Sequence, residues 1–204
     1  MKVVKFGGSS LADAKQIKKV CSIILSDSQR RIVVVSAPGK RYDTDTKVTD
    51  LLIRLAKACQ EGSGVEAALE AVLERYAGIA KDLNLGREIV CTIKNDLISR
   101  MHTNCRNYEM FEDLMKAAGE DNSAKLIAEN AEYIDPKEAG MFLSSEFGNA
   151  QVLPHSYELL AKLAERQTIM IFPGFFGYAE DGSVVTFSRG GSDVTGGVLA
   201  AAVN

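Results

Sequence analysis

The sequence predicts an α/β domain with a mostly parallel sheet lying between helical layers. Two observations carry that expectation. Apolar stretches of strand length alternate along the chain with segments of helical period, which is the pattern of an α/β fold. Several strand-length runs are also apolar at consecutive positions, as in Ile32-Val33-Val34-Val35 and Ile169-Met170-Ile171-Phe172. Such runs suit strands covered on both faces.

Taken in order, residues 2–6 are rich in Val and Phe and stop at Gly7-Gly8, so they read as a short strand. From Leu11 the apolar positions Ala14, Ile17, Val20, Cys21, Ile24 and Leu25 fall on one helix face, with Ser10 as the expected N-cap. Residues 31–36 form the second strand, broken by Pro38-Gly39, and the polar stretch 39–46 reads as a loop. Helical spacing resumes over 48–59 and 65–83, with Gly62-Ser63-Gly64 between them. Further helices are expected over about 87–103, 106–117 and 121–131. Residues 133–135 form a short strand before Pro136. Residues 140–154 show no clear period, and 156–166 is helical again. Thr168 to Phe172 is a strand stopped by Pro173-Gly174. Asp181-Gly182 marks a hairpin-type turn with a strand over 184–187 after it. The segment from Ser192 is small and apolar, as for a helix packed tightly on a sheet. The almost wholly helical block 48–131 reads as an insertion on a face or edge of the sheet.

Composition excludes several classes. The chain has 204 residues, is 46% apolar and 25% charged, and so falls with ordinary globular proteins. Lys plus Arg is 24 against 27 for Asp plus Glu, a balance without the basic footprint of a nucleic-acid binder or an anionic-membrane partner. No apolar run approaches the ~18 residues of a membrane span, and the amino terminus lacks a signal-peptide core. A cytoplasmic protein is expected. Cys21, Cys59, Cys91 and Cys105 form no CxxC pair and read as small buried apolar residues. His102 and Cys105 make an HxxC, too few ligands for a metal site, so no protein-held metal is expected.

The chemistry concentrates at two strand-to-helix junctions. In Lys5-Phe6-Gly7-Gly8-Ser9-Ser10, the missing Cβ atoms let backbone N–H groups approach an anion. The following helix N-terminus adds partial positive charge. Lys5 can reach the same anion. The spacing is neither GxGxxG nor a P-loop, and a plain junction with a capping serine is the alternative. In Ser188-Arg189-Gly190-Gly191-Ser192-Asp193, the arginine can grip a carboxylate or phosphate. A helix cap accounts for Asp193 alone but not for Arg189 and the paired glycines. Both junctions are expected at the carboxyl edge of the sheet, where open parallel sheets bind ligands. The turns Ser36-Ala37-Pro38-Gly39 and Pro173-Gly174-Phe175 are expected on that edge too.

KFGGSS, VVVSAPGK followed by TKVTDLL, GEDNSAKLIAE, FPGFFG and SRGGSD stand in the order and spacing of aspartokinases. From residue 2 to the last, the chain resembles the amino-terminal part of their catalytic domain, within the amino acid kinase family. The resemblance implies a three-layer αβα sandwich over residues 1–204. It implies transfer of the ATP γ-phosphoryl group to the side-chain carboxylate of L-aspartate, giving 4-phospho-L-aspartate on the route to lysine, threonine and methionine. It also implies catalytic roles for Lys5 and Asp193. Lys5, Gly7, Gly8 and Ser9 would hold ATP, with Mg arriving on the nucleotide. Ser36, Thr49, Glu120 and Arg189 would hold the substrate, Arg189 on its α-carboxylate and Glu120 on its ammonium. Glu146, in SSEFG, is a rival to Glu120 in a context that fits a solvated loop.

Ser9-Ser10 stand where the family more often has Thr-Ser, and Ser188 where it often has Gly. Aspartokinases also continue well past this length, through nucleotide contacts and regulatory ACT domains. The expectation is therefore a truncated kinase domain without ACT domains, with its activity open, and a homo-oligomer. The alternatives are a non-catalytic ligand-binding or self-associating module, and a sister kinase acting on glutamate or N-acetylglutamate.

Overall fold

The protein is described from a computed structural model covering residues 1–204, the side chain of residue 130 apart. Strand β1 (Lys2–Phe6) leads through a 3-10 turn (Gly8–Leu11) into α1 (Ala14–Leu25) and β2 (Arg30–Val35). Four helices follow: α2 (Val48–Glu61), α3 (Val65–Leu83), α4 (Arg87–Met101) and α5 (Tyr108–Ile127). Then come β3 (Glu132–Tyr133), the single turn α6 (Pro136–Ala139), α7 (His155–Ala161), β4 (Met170–Pro173), β5 (Phe176–Tyr178), β6 (Val184–Thr186) and α8 (Gly191–Ala202).

The main sheet runs β1-β2-β4-β3, with every neighbouring pair parallel. The consecutive apolar residues of β2 and β4 divide between two cores, because successive side chains of a strand point to opposite faces. Val33, Val35 and Ile171 pack into the cluster built with α1 and α2–α5. Ile32, Val34, Met170 and Phe172 pack into the cluster that holds Leu160 of α7 and Val198 and Leu199 of α8. The result is three layers: α1 with the helical block, the sheet, and α7 with α8. The expected fold class is observed.

Four local expectations are corrected. First, α1 begins at Ala14, and its cap is Asp13, whose carboxylate accepts the Gln16 amide at 2.8 Å. Ser10 lies inside the 3-10 turn, its own amide donating to the Gly7 carbonyl. Second, the two helices expected over 106–117 and 121–131 form one helix, α5. The apolar period fails there because Glu120, Asp121, Asn122 and Ser123 are buried polar residues, not because the helix stops. Third, the strand after Asp181-Gly182 does not join the parallel sheet. It pairs antiparallel with β5, Phe176 opposite Thr186 and Tyr178 opposite Val184, a strand that the sequence reading missed. A short connection allows only that pairing, since a parallel neighbour needs a crossover. Phe176 and Val184 seat this hairpin on Ala117 of α5. Fourth, none of the four cysteines is fully buried, and Cys91 is exposed; they border the core rather than fill it.

The capping result separates the two candidate residues. Asp13→Ala is expected to cost about 1 kcal/mol of unfolding free energy, and Ser10→Ala markedly less. Urea denaturation of the two variants measures this, and equal losses would remove the assignment of the cap to Asp13.

Candidate active site

The site begins where two backbones touch. The turn after β1 and the turn after β2 are joined by the Gly39 amide, which donates to the Gly8 carbonyl at 2.8 Å. A Cβ on Gly39 would lie 2.6 Å from the Gly8 carbonyl carbon, and one on Gly8 would lie 2.8 Å from the Ala37 carbonyl oxygen. Both glycines are therefore needed for the approach. A third glycine brings α5 in. A Cβ on Gly119 would lie 2.8 Å from Ala37 Cβ, so only a bare backbone lets α5 lie against this turn. The Tyr76 hydroxyl, wholly buried on α3, fixes that backbone by donating to the Gly119 carbonyl at 2.8 Å.

The residue after Gly119 is Glu120, and it lines a cavity of about 410 Å³ with Gly8, Ser9, Ser36, Ala37, Pro38, Gly39, Lys40, Lys47 and Thr49. Glu120 is only 5% exposed, and among the described residues its Oε2 has no hydrogen-bond partner. Burial pushes its carboxyl up to about 8, against the opposing pull of the Ala37 amide, its own amide and the charge of Lys5. A buried carboxyl with one oxygen unpartnered at a cavity wall keeps hydrogen-bonding capacity to spare.

Lys5 is the penultimate residue of β1, and its ammonium sits 2.9 Å from Asp193 Oδ1 in the first turn of α8. A Cβ on Gly7 would lie 3.5 Å from that ammonium, and one on Gly196 would lie 3.6 Å from Lys5 Cβ, so α8 runs close along the lysine. Asp193 is well exposed, and such a pair adds little to stability. The αL residue at the end of β4 is Phe175 (φ 76°) rather than the adjoining Gly174. Its amide is held by Thr195 Oγ1 of α8 at 3.0 Å, and its carbonyl by the Phe187 amide at 2.9 Å.

Of the expected residues, Gly8, Ser9, Ser36, Thr49 and Glu120 line the one cavity. Lys5, Gly7 and Asp193 form the adjoining charged corner. Arg189 does not join them: it is exposed in the turn before α8, with no ion pair among the described residues. Its strand belongs to the β5–β6 hairpin rather than the parallel sheet, yet the junction still reaches the carboxyl edge where it was expected: Ser192 packs on Gly174 after β4, and Asp193 meets Lys5 of β1. Glu146 is exposed and accepts a bond from Ser144. Lys40 and Lys47 on the cavity wall were missed; each sits beside a motif residue, in APGK and KVTD. Among the described residues no group of three or more His, Cys, Asp or Glu side chains could hold a metal ion. Among the described residues no helix is long and apolar enough to cross a membrane.

The raised Glu120 carboxyl gives a signed pH dependence. The folded protein keeps this proton to about pH 8, whereas an unfolded glutamate loses it near pH ~4.3. The native state thus binds the extra proton in between, and stability falls as pH rises through that window. Urea denaturation between pH 5 and 8 should show this slope in the wild type, and Glu120→Gln should flatten it. An unchanged slope in the variant would assign the effect to other groups.

Residues 1–204 match the Amino acid kinase family. The chain is 55% identical to aspartokinase 3 of Bacillus subtilis, over 98% of this chain and 46% of that protein. It is 29% identical to the lysine-sensitive aspartokinase 3 of Escherichia coli, over 99% of this chain and 46% of the other. The fold superimposes on aspartate kinase from Clostridium acetobutylicum with a TM-score of 0.84 at 35% identity, covering 99% of this chain and 45% of that one. Escherichia coli aspartokinase III in complex with aspartate and ADP gives 0.79 at 27% identity, covering 100% and 47%. The chain thus spans less than half the length of these relatives, and it belongs to the amino acid kinase family.

Proposed function

We propose that this chain carries the aspartate site and the phosphoryl-transfer corner of an aspartate kinase. The observation that carries the reading is the convergence of Lys5, aimed by Asp193 at 2.9 Å, with a cavity whose wall holds the unpartnered Glu120 carboxyl. A cation beside bare glycine amides suits a phosphoryl group. A buried carboxyl with a free acceptor suits an ammonium. An amino-acid carboxylate meeting a nucleoside triphosphate satisfies both.

In this reading the aspartate ammonium gives Glu120 Oε2 its missing donor and favours the ionised form there. Ser36 and Thr49 offer hydroxyls to the substrate carboxylates, and Arg189 turns inward to the α-carboxylate when substrate is present. A side-chain carboxylate oxygen attacks the γ-phosphorus, and the bond from that phosphorus to the β,γ-bridging oxygen breaks, leaving ADP and an acyl phosphate. The nucleophile is already an anion, so no proton must be removed. Lys5 and the Gly7 and Gly8 amides neutralise charge on the group in flight. Magnesium enters with ATP as part of the substrate.

The reading is tested by titrating the purified chain with L-aspartate and with Mg·ATP, followed by an assay of ADP release. Where turnover is found, Lys5→Ala should lower kcat by on the order of 10³ with the fold intact. Arg189→Ala should chiefly raise the KM for aspartate. A change in ATP affinity alone would reverse the ligands, and near-normal turnover without Lys5 would end the assignment. Aspartate binding without ADP release would favour a ligand-binding module, and transfer to glutamate alone a sister kinase.

A further inference from the structure

Arg75 of α3 is almost fully buried, at 6% exposure, and lies in none of the motifs that mark the site. Its guanidinium is nevertheless spent on the two segments that build the cavity. One terminal nitrogen donates to Asp45 Oδ2 at 2.7 Å and to the Thr46 carbonyl at 2.9 Å. The other donates to the Gly39 carbonyl at 2.8 Å and to the Ala12 carbonyl at 3.3 Å. Gly39 is the residue whose amide holds Gly8, and Ala12 follows the 3-10 turn that begins at Gly8. Asp45 and Thr46 directly precede Lys47 and Thr49 of the cavity wall. Arg41 clamps the same carboxylate from outside, through Nε and Nη2 at 2.8 Å each.

The segment 38–48 is thus closed at its ends by the Val48 amide on the Pro38 carbonyl, 3.0 Å, and held in its middle by one planar fork. A guanidinium presents donors in fixed directions, so this fork sets the height of the segment over the cavity. Nothing in packing alone demands it: an apolar residue at 75 would fill the space without touching three separate carbonyls.

We infer that Arg75 is a positioning residue, which with Asp45 latches residues 39–47 so that Lys47 and Thr49 face the substrate. The inference rests on the aspartate-site reading for the identity of that substrate, but the latch itself does not.

The test uses the whole chain as wild type, Asp45→Asn and Asp45→Glu, with L-aspartate titration and amide hydrogen exchange read together. Asp45→Asn keeps the shape of the side chain, removes its charge and leaves the buried arginine in place, so folding is spared more than by changing Arg75. Aspartate binding should weaken by about tenfold or more, since small displacements of binding groups cost up to ~10². Exchange at 40–47 should accelerate while the amides of α2 and α5 keep their protection. Asp45→Glu, which retains the charge, should restore most of the affinity. Wild-type affinity and wild-type exchange in Asp45→Asn would overturn the latch, as would a uniform loss of protection across the helices. A wild-type chain that binds no aspartate would overturn the functional reading instead, and the latch would then be decided by exchange at 40–47 alone.

Discussion

The contact between the Gly39 amide and the Gly8 carbonyl is the constraint on which the site depends. It draws together the turns that end the first two strands of the sheet, at a separation no side chain would permit. Once those backbones touch, the positions after them follow. Ser9 and Ser36 face a common space, and Ala37 offers a flat neighbour against which Gly119 brings α5. Glu120, the next residue, lines the cavity. Three glycines, far apart in sequence, therefore act as one device. Their conformational cost in the unfolded chain is offset by a wall that side chains could not form.

Charge is arranged around that wall in two unlike environments. Glu120 is dry and has no partner for one oxygen, so its carboxyl is held toward the neutral form. Asp193 stands in solvent and pairs with Lys5. The same functional group is thus dry and unpartnered in one place and paired with a lysine in the other.

Residues whose chemistry is local could be read from the sequence. Gly7-Gly8 after an apolar strand and Ser36 in the turn of the second strand announce themselves, and the parallel core shows in the unbroken run Ile32–Val35; Glu120 was reached only through the resemblance of GEDNSAKLIAE to aspartokinases. Residues whose meaning depends on a distant partner could not. Arg75 and Tyr76 sit in an ordinary helical stretch, and only folding reveals that both reach site backbones, at Gly39 and Gly119. Periodicity misled where polar residues are buried, dividing α5 at the residues that serve the site. It also misplaced β6, because a strand's apolar residues do not say which sheet will receive them; the brevity of its connection to β5 decides that.

The helical block then has a physical function beyond covering one face of the sheet. From it, α3 supplies the Arg75 fork and the Tyr76 hydroxyl, α2 supplies Thr49, and α5 supplies Glu120. The strands set where the turns end, but the parallel ladder stops at Val35 and does not reach the loop 39–47. Rigid helices crossing that face hold it, through hydrogen bonds to backbone carbonyls rather than through side-chain packing. Carbonyls exist at every residue, so this support constrains the loop's path while leaving its side chains free to meet a ligand.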